Sequence, residues 1–417
     1  MNATLTPATA PDPDPTTVAA DAPTPRQQAG AVGMISGGHF CSHFYNLSLP
    51  PLFPFIKAEF GISYAALGLI WTTYFLATSV VQMPVGMLVD RIGARRMLFA
   101  GLLLMSGSVA LAGLTNSYWM LLAMYFVAGI GNSVFHPADF VILSATVPDH
   151  RMGRAFSVHS FGGQAGSAAA PLILVALAVL WDWRVALVAT GMIGVAFSFA
   201  MYCCRGTMRE DSARGQRKKP GGSQWRDTWQ ALTSRTIMAY FIFFMISSCA
   251  GTAIISFAVV VLADLYAADP TFANGVLTAH LIAAAAGVVA GGFLADATRR
   301  HDLVLIVCMA VAAVGMAAAA SAGVTLLIAA AGVTLAGLMK GVISPSRDLL
   351  VREAAPPGLL GSVMAFVTIG FTIGNAAMPV VAGWLIDLGH PSWVFWMAAA
   401  FSLAGIATVF MSRERRL

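Results

Sequence analysis

GNSVFHPADFVILSATVPDHRMGRAF, residues 131–156, sets a histidine, a proline and an aspartate into a run that is otherwise apolar. Displaced by 208 positions, the chain reads MKGVISPSRDLLVREAAPPGLLGSVM, residues 339–364. The letters differ but the punctuation repeats: Pro137, Pro148, Gly153, Gly162, Gly166 and Pro171 fall on Pro345, Pro356, Gly361, Gly370, Gly374 and Pro379. Two copies of one membrane unit facing each other are the usual architecture of carriers that rock around a central site. Gly162, Gly166, Pro171, Gly370, Gly374 and Pro379 are expected to serve close helix approach and bending.

Composition places that repeat in a membrane. Of 417 residues, 58% are hydrophobic and 10% charged, with a mean hydropathy of +0.76; a soluble domain carries about 25% charged residues. Apolar runs of roughly 20 residues, each enough to cross a ~30 Å hydrocarbon core, follow one another almost without interruption. Twelve spans are expected, at 31–56, 64–89, 97–115, 118–146, 155–180, 184–204, 236–264, 272–297, 302–322, 325–350, 359–386 and 391–412. The fold class is therefore an all-α polytopic membrane protein, with twelve transmembrane helices in two pseudo-symmetric six-helix bundles, 31–204 and 236–412.

The segments outside the spans differ in character. Residues 1–30, rich in Pro, Ala, Thr and Asp, cannot bury enough apolar surface to order and are expected to be a disordered tail. Residues 205–235 form a basic linker containing RGQRKKPGGSQWRD, and 413–417 a short basic tail. With both termini in the cytoplasm, nearly every Lys and Arg falls on the cytoplasmic side. Only Lys57 and Arg184 lie on the other, and Lys340 lies within a span. This positive-inside bias predicts the inner membrane with both termini cytoplasmic, and it assigns the net charge of +5 to lipid headgroups rather than nucleic acid. The five cysteines are scattered, without metal-ligand or disulfide spacing. No Gly-rich phosphate loop, nucleophile or carboxylate pair appears, so neither an enzyme nor an ATP-driven pump is expected, and no cofactor. A monomer is the simplest expectation.

After the second span stands GMLVDRIGARRM, residues 86–97, with a weaker echo, GGFLADATRRHD, at 291–302. Here the chain resembles the major facilitator superfamily: Gly86, Asp90, Arg91, Gly93 and Arg95 match that family's loop 2–3 motif, with Ala94 where a basic residue is common. The resemblance implies the major facilitator fold and a gating role for those residues. A narrower resemblance, to the fosmidomycin-resistance group, is carried by SHFYN at Ser42, FGISYAALGL at Phe60, VQMPVGMLVD at Val81, GNSVFHP at Gly131 and FSVHSFGGQAGSAAAP at Phe156. It implies proton-driven export of small anionic or amphiphilic solutes. The span-four arginine of many proton antiporters is absent; Tyr125 stands near its place.

Ionisable groups inside the spans are the site candidates, since each costs at least about 2.5 kcal/mol at the bilayer centre unless it meets a partner or water. Asn132, His136 and Asp139, at i, i+4 and i+7, share one face of span four. The repeat sets Lys340, Ser344 and Arg347 at the same positions of span ten. Lys340 suits either an anionic solute or a carboxylate such as Asp139, and Arg347 either the solute or the cytoplasmic interface. Asp139 and His136 are proton-coupling candidates; helix packing is the competing reading of both. His39 and His43, at i, i+4 in span one, read as cavity-lining and, with Lys340, Arg347 and Asn132, make up the substrate-binding candidates. Two such histidines could hold a metal, but no third ligand is evident, so no metal site is expected. Gln82, His159, Gln164, His280 and Asn375 are weaker candidates, explained by interhelical hydrogen bonds.

These readings converge on a secondary transporter whose partners are a small organic solute, protons and the lipid bilayer. Proton-coupled efflux is the first expectation; proton-coupled uptake of a small organic acid is the alternative.

Overall fold

The computed structural model describes residues 23–209, 229–356 and 359–413. Residues 1–22 of the expected tail, 210–228 of the basic linker and 414–417 lie outside the described residues. The described chain is helical, with no strand among the described residues. In order the helices are α1 Pro25–Asn46, α2 Phe53–Phe60, α3 Tyr64–Ile92, α4 Ala94–Ala112, α5 Tyr118–Asn132, α6 Phe135–Thr146, α7 Asp149–Leu180 and α8 Trp183–Cys203. After the linker come α9 Arg235–Tyr266, α10 Pro270–Ala297, α11 His301–Ala320, α12 Leu326–Ala354, α13 Leu360–Asp387 and α14 Ser392–Arg413.

Local chemistry sets many of these starts. Thr24 and Gln27 form a capping box ahead of Pro25, and Ser63, Ser234, Asp269 and Thr325 cap α3, α9, α10 and α12 with side-chain oxygens. Gly93 ends α3 and begins α4 at φ 107°, a backbone that favours glycine and reverses the chain in one residue.

Eleven described helical segments are long and apolar enough to cross a membrane, counting α5 and α6 as one. The expected first span is the exception, and it needs two corrections. The helix begins at Pro25, inside the stretch read as a disordered tail, because the capping box nucleates it there. It ends at Asn46; Pro50 and Pro51 then turn the chain through one 3-10 turn into the separate α2. Ser36, His39, Ser42, His43 and Asn46 make α1 the polar member of the set. The outward faces of the other helices carry exposed Val80, Met87, Ile193, Phe293, Val314 and Leu327, each more than half exposed. Surface of that kind belongs against lipid. Trp119, Trp181, Trp384 and Trp393 sit at helix ends away from the termini, as interfacial tryptophans do.

The two halves repeat one packing scheme. In the first, α1 packs on α7, α3 on α5, and α4 on α5 and α8; in the second, α9 packs on α13, α10 on α12, and α11 on α12 and α14. A Cβ at Gly162 or Gly166 would lie 2.6 or 2.2 Å from the carbonyl oxygens of Ser36 and Phe40 on α1. At Gly370 or Gly374 it would lie 2.5 or 2.6 Å from those of Phe241 and Met245 on α9. Small residues at matching places thus let the equivalent helices touch backbone to backbone.

Between halves, α3 meets α13 and α7 meets α10. The α3–α13 contact gathers at the end away from the termini. There Asp387 accepts from the N–H groups of Tyr64 and Ala65, both at 2.8 Å, and Thr72 donates to the Ala376 carbonyl at 2.6 Å. Gly68 and Gly383 admit the Pro379 and Tyr64 carbonyls. Farther along α3, a Cβ on Gly86 would meet nothing within 4 Å. The hydrogen bonds that join α3 to α13 thus lie at the end away from the termini.

Candidate functional site

Span four is not one helix. Pro137 lacks the N–H that would bond Ser133, and the chain breaks at Ser133 and Val134 between α5 and α6. The Ser133 hydroxyl takes the Ile130 carbonyl at 2.7 Å, which holds the break. The expected shared face is split as a result. Asn132 turns into the first half, accepting from Ser42 at 2.6 Å and donating to Thr78 at 3.4 Å, so it ties α1, α3 and α5 together. His136 is exposed, and Asp139 is buried at 2%.

Asp139 lies among histidines from three helices. Its Oδ2 is 3.6 Å from His39 Nδ1 on α1 and 3.7 Å from His159 Nε2 on α7. The His39 and His159 rings stack at 3.9 Å; His43 and His136 approach His39 at 4.5 and 5.8 Å. Gly163 provides the space, since a Cβ there would fall 2.6 Å from His39 Cδ2. Both Asp139 oxygens, His39 Nδ1 and His159 Nδ1 are buried without a hydrogen-bond partner. Buried polar atoms without partners are costly exceptions that call for an explanation, such as strain, a catalytic role, a water or an ion.

A cavity of about 380 Å³ lies between the halves. His43, Asn46, Trp71, Phe75, Gln164 and Ser167 line it from the first half; Phe244, Thr252, His280, Lys340, Arg347 and Asn375 line it from the second. His43 is steadied by Ser167 at 3.2 Å, and Asn375 by the Ser248 and Thr252 hydroxyls. His280 Nδ1 bonds the Val333 carbonyl at 2.8 Å, which leaves Nε2 without a partner. The Lys340 ammonium makes no ion pair or hydrogen bond among the described residues; Gly251 opposes it, and a Cβ there would lie 2.5 Å from Nζ. Arg347 pairs with Asp348 at 2.9 Å and lies 4.3 Å over the Phe244 ring. The second half thus offers a net positive, aromatic-edged wall, and the first half offers imidazole and amide groups. A second recess, about 580 Å³, opens between α10 and α12, but Ala279, Ala283, Leu335 and Leu338 line it and no charged group does.

Among the expected substrate residues, Lys340, Arg347 and His43 line the cavity. His39 and Asn132 do not: His39 faces Asp139, and Asn132 is spent on helix contacts. Lys340 and Asp139 form no ion pair with each other among the described residues. His159, ranked among the weaker candidates, is a direct neighbour of Asp139. His43 does not join His39 in a ligand set; instead, donor atoms of His39, Asp139 and His159, from three helices, all lie within 4.8 Å of one another. In the loop motif, Arg91 is exposed, and Arg95 reaches the Arg205 carbonyl at 3.4 Å.

Comparison with known proteins agrees with this architecture. The family model described as Major Facilitator Superfamily matches residues 35–257 and 241–417. The chain is 24% identical over 400 residues to the fosmidomycin resistance protein of Escherichia coli (strain K12), covering 94% of each. It is 26% identical over 147 residues to a probable L-galactonate transporter of the same strain, 35% of this chain and 32% of that one. The crystal structure of a bacterial homolog to the human lysosomal transporter Spinster, inward-facing and unoccupied, superimposes with a TM-score of 0.73 at 16% identity, covering 93% of this chain and 95% of that one.

Proposed function

The chain belongs to the major facilitator superfamily and is a multi-pass transporter of small solutes, and from that premise we propose that it exports a small organic anion in exchange for protons. One observation carries the reading: Lys340, a cation with no counter-ion among the described residues, faces the cavity between the halves. A buried ammonium in that position is stabilised by an anion arriving from the cavity. Arg347 adds a second positive group, already shared with Asp348, and Trp71, Phe75 and Phe244 provide surface for an apolar body. The names of the relatives, a fosmidomycin resistance protein and a probable L-galactonate transporter, favour a small anionic or amphiphilic solute; resistance favours export.

Protons enter at the cluster in the first half. Asp139 with His39 and His159 holds exchangeable protons, and His43 connects that cluster to the cavity. His136 is a further exposed imidazole nearby. The bonds of Asp387, Tyr64 and Thr72 hold the halves together on the side away from the termini. With the termini cytoplasmic, as the basic residues favour, that is closure of the outer side. The Asp90, Arg91 and Arg95 motif then acts on the opposite swing, when the cytoplasmic ends of α3 and α13 close.

Direction is tested in oriented vesicles with an imposed pH gradient and a panel of labelled carboxylates, phosphonates and sulfonates. Accumulation in everted vesicles with an acidic interior is the expected result. Accumulation confined to right-side-out vesicles with an acidic exterior would replace export with uptake.

A further inference from the structure

We infer that His39, Asp139 and His159 form a binding site for one divalent transition-metal ion of the Zn²⁺ class, reached from the central cavity past His43. The inference stands on the geometry of the cluster and does not depend on the direction or substrate of transport.

Three observations point the same way. The donor atoms are two imidazole nitrogens and a carboxylate oxygen, brought from α1, α6 and α7 to within 4.8 Å of one another. Two of the three edges, 3.6 and 3.7 Å, are close to the ~3.3 Å that separates ligand atoms around a tetrahedral ion bound at about 2.0–2.1 Å. Two of the three atoms that would bind are also left without partners: Asp139 Oδ2 and His39 Nδ1 are buried and unsatisfied. A cation at the centre would complete their coordination in one step.

The donor set selects the ion. Mg²⁺ and Ca²⁺ prefer all-oxygen shells, whereas imidazole suits zinc, copper, iron and nickel. Three protein ligands leave the fourth position open to water or to His43, whose ring is 4.5 Å from that of His39. His43 also lines the cavity, so the ion has an entry path. All three ligands belong to the first half, so a bound ion braces α1, α6 and α7 and leaves the α3–α13 and α7–α10 contacts between halves unbridged. Metal and protons are then rival occupants of the same donors.

The test uses the full-length chain in detergent after removal of any affinity tag, since histidine tags bind the same ions. Equilibrium dialysis against Zn²⁺ alone should give one ion per chain in the wild type and none in His159→Gln or Asp139→Asn. Lys340→Ala and His280→Gln should retain it. Co²⁺ loaded into the wild type should give the intense visible bands of a four-coordinate site, a readout that needs no variant. Absence of bound ion and of those bands in the wild type, or full binding by the folded Asp139→Asn, would overturn the inference. Proton-driven flux measured with and without a chelator separates the two readings of the cluster. Flux without metal binding removes the metal site alone, and metal binding without proton-driven flux removes the coupling role alone.

Discussion

The two halves share a helix plan and differ in chemistry at the same three positions. Asn132, His136 and Asp139 in the first half correspond to Lys340, Ser344 and Arg347 in the second. Yet Asn132 is consumed by Ser42 and Thr78 while Lys340 faces the cavity, and Asp139 is sealed among histidines while Arg347 stays at the cavity wall. The proline at each site explains part of this. Pro137 breaks its helix where Ser133 offers a competing hydroxyl; Pro345 leaves α12 continuous from Leu326 to Ala354, and the residue four before it is Gly341, with no side chain to compete. One half has thereby become a buried basic-and-acidic cluster and the other an open cationic wall. A repeat fixes where side chains are placed, and local backbone chemistry decides what they face.

The comparison is broken most sharply by removing its two charges one at a time. Lys340→Ala should abolish both pH-driven accumulation and solute exchange at zero gradient for an anionic solute, a loss of tenfold or more, as roughly 1.5–3 kcal/mol for a charged hydrogen bond implies. Asp139→Asn should remove the response to the pH gradient and leave exchange intact. Equal loss of both activities in the two variants would mean that the halves do not divide the work.

The same contrast shows what the amino-acid sequence discloses. Helices, their order and the packing glycines follow from hydropathy and from punctuation that repeats along the chain, and the depth of Lys340 in an apolar run is enough to single it out. The Asp139 cluster is not legible that way: His39, Asp139 and His159 stand on three helices, and their meeting depends on how those helices rotate. His159 reads in the sequence as a weaker candidate, accounted for by an interhelical hydrogen bond. Asp387 carried even less, because an acid at a helix end is ordinary until α3 is seen to begin against it. The start of α1 at Pro25 was legible in Thr24, Pro25 and Gln27, but the composition before them outweighed it.

A smaller effect is expected from the two glycines that make room for the functional groups. At Gly163 an added Cβ meets the His39 ring, held by its stack with His159; at Gly251 it meets the flexible end of Lys340. Gly163→Ala should lower stability by about 1–3 kcal/mol, the usual cost of overpacking, visible as a lower thermal midpoint. Gly251→Ala should leave the midpoint nearly unchanged and raise KM, because the ammonium can move but no longer rests in the same place. The reverse pattern would place the rigid site in the second half.

The smallest effect lies at the edge of the spans, where Glu59 on α2 meets Arg184 and Trp183 at the start of α8. Trp183 donates to Glu59 at 2.6 Å, and Arg184 pairs with Glu59 while also donating to the Thr115 carbonyl. The hydrogen bond from Arg184, followed by that from Trp183, holds the Glu59 carboxyl below its ordinary value. A carboxyl depressed in the folded state contributes stability above its unfolded value, near 4.5, and loses it as pH falls through the folded value. With its side chain 42% exposed, Glu59 should contribute under about 1 kcal/mol. Thermal midpoints of Glu59→Gln and wild type should therefore differ slightly at pH 7 and converge in acid, once pH has fallen through the folded value. A gap that persists in acid would assign the contribution to packing of Trp183 and Arg184 rather than to charge. This junction would then resemble the uncharged helix contacts within each half more than the ionised groups at the cavity.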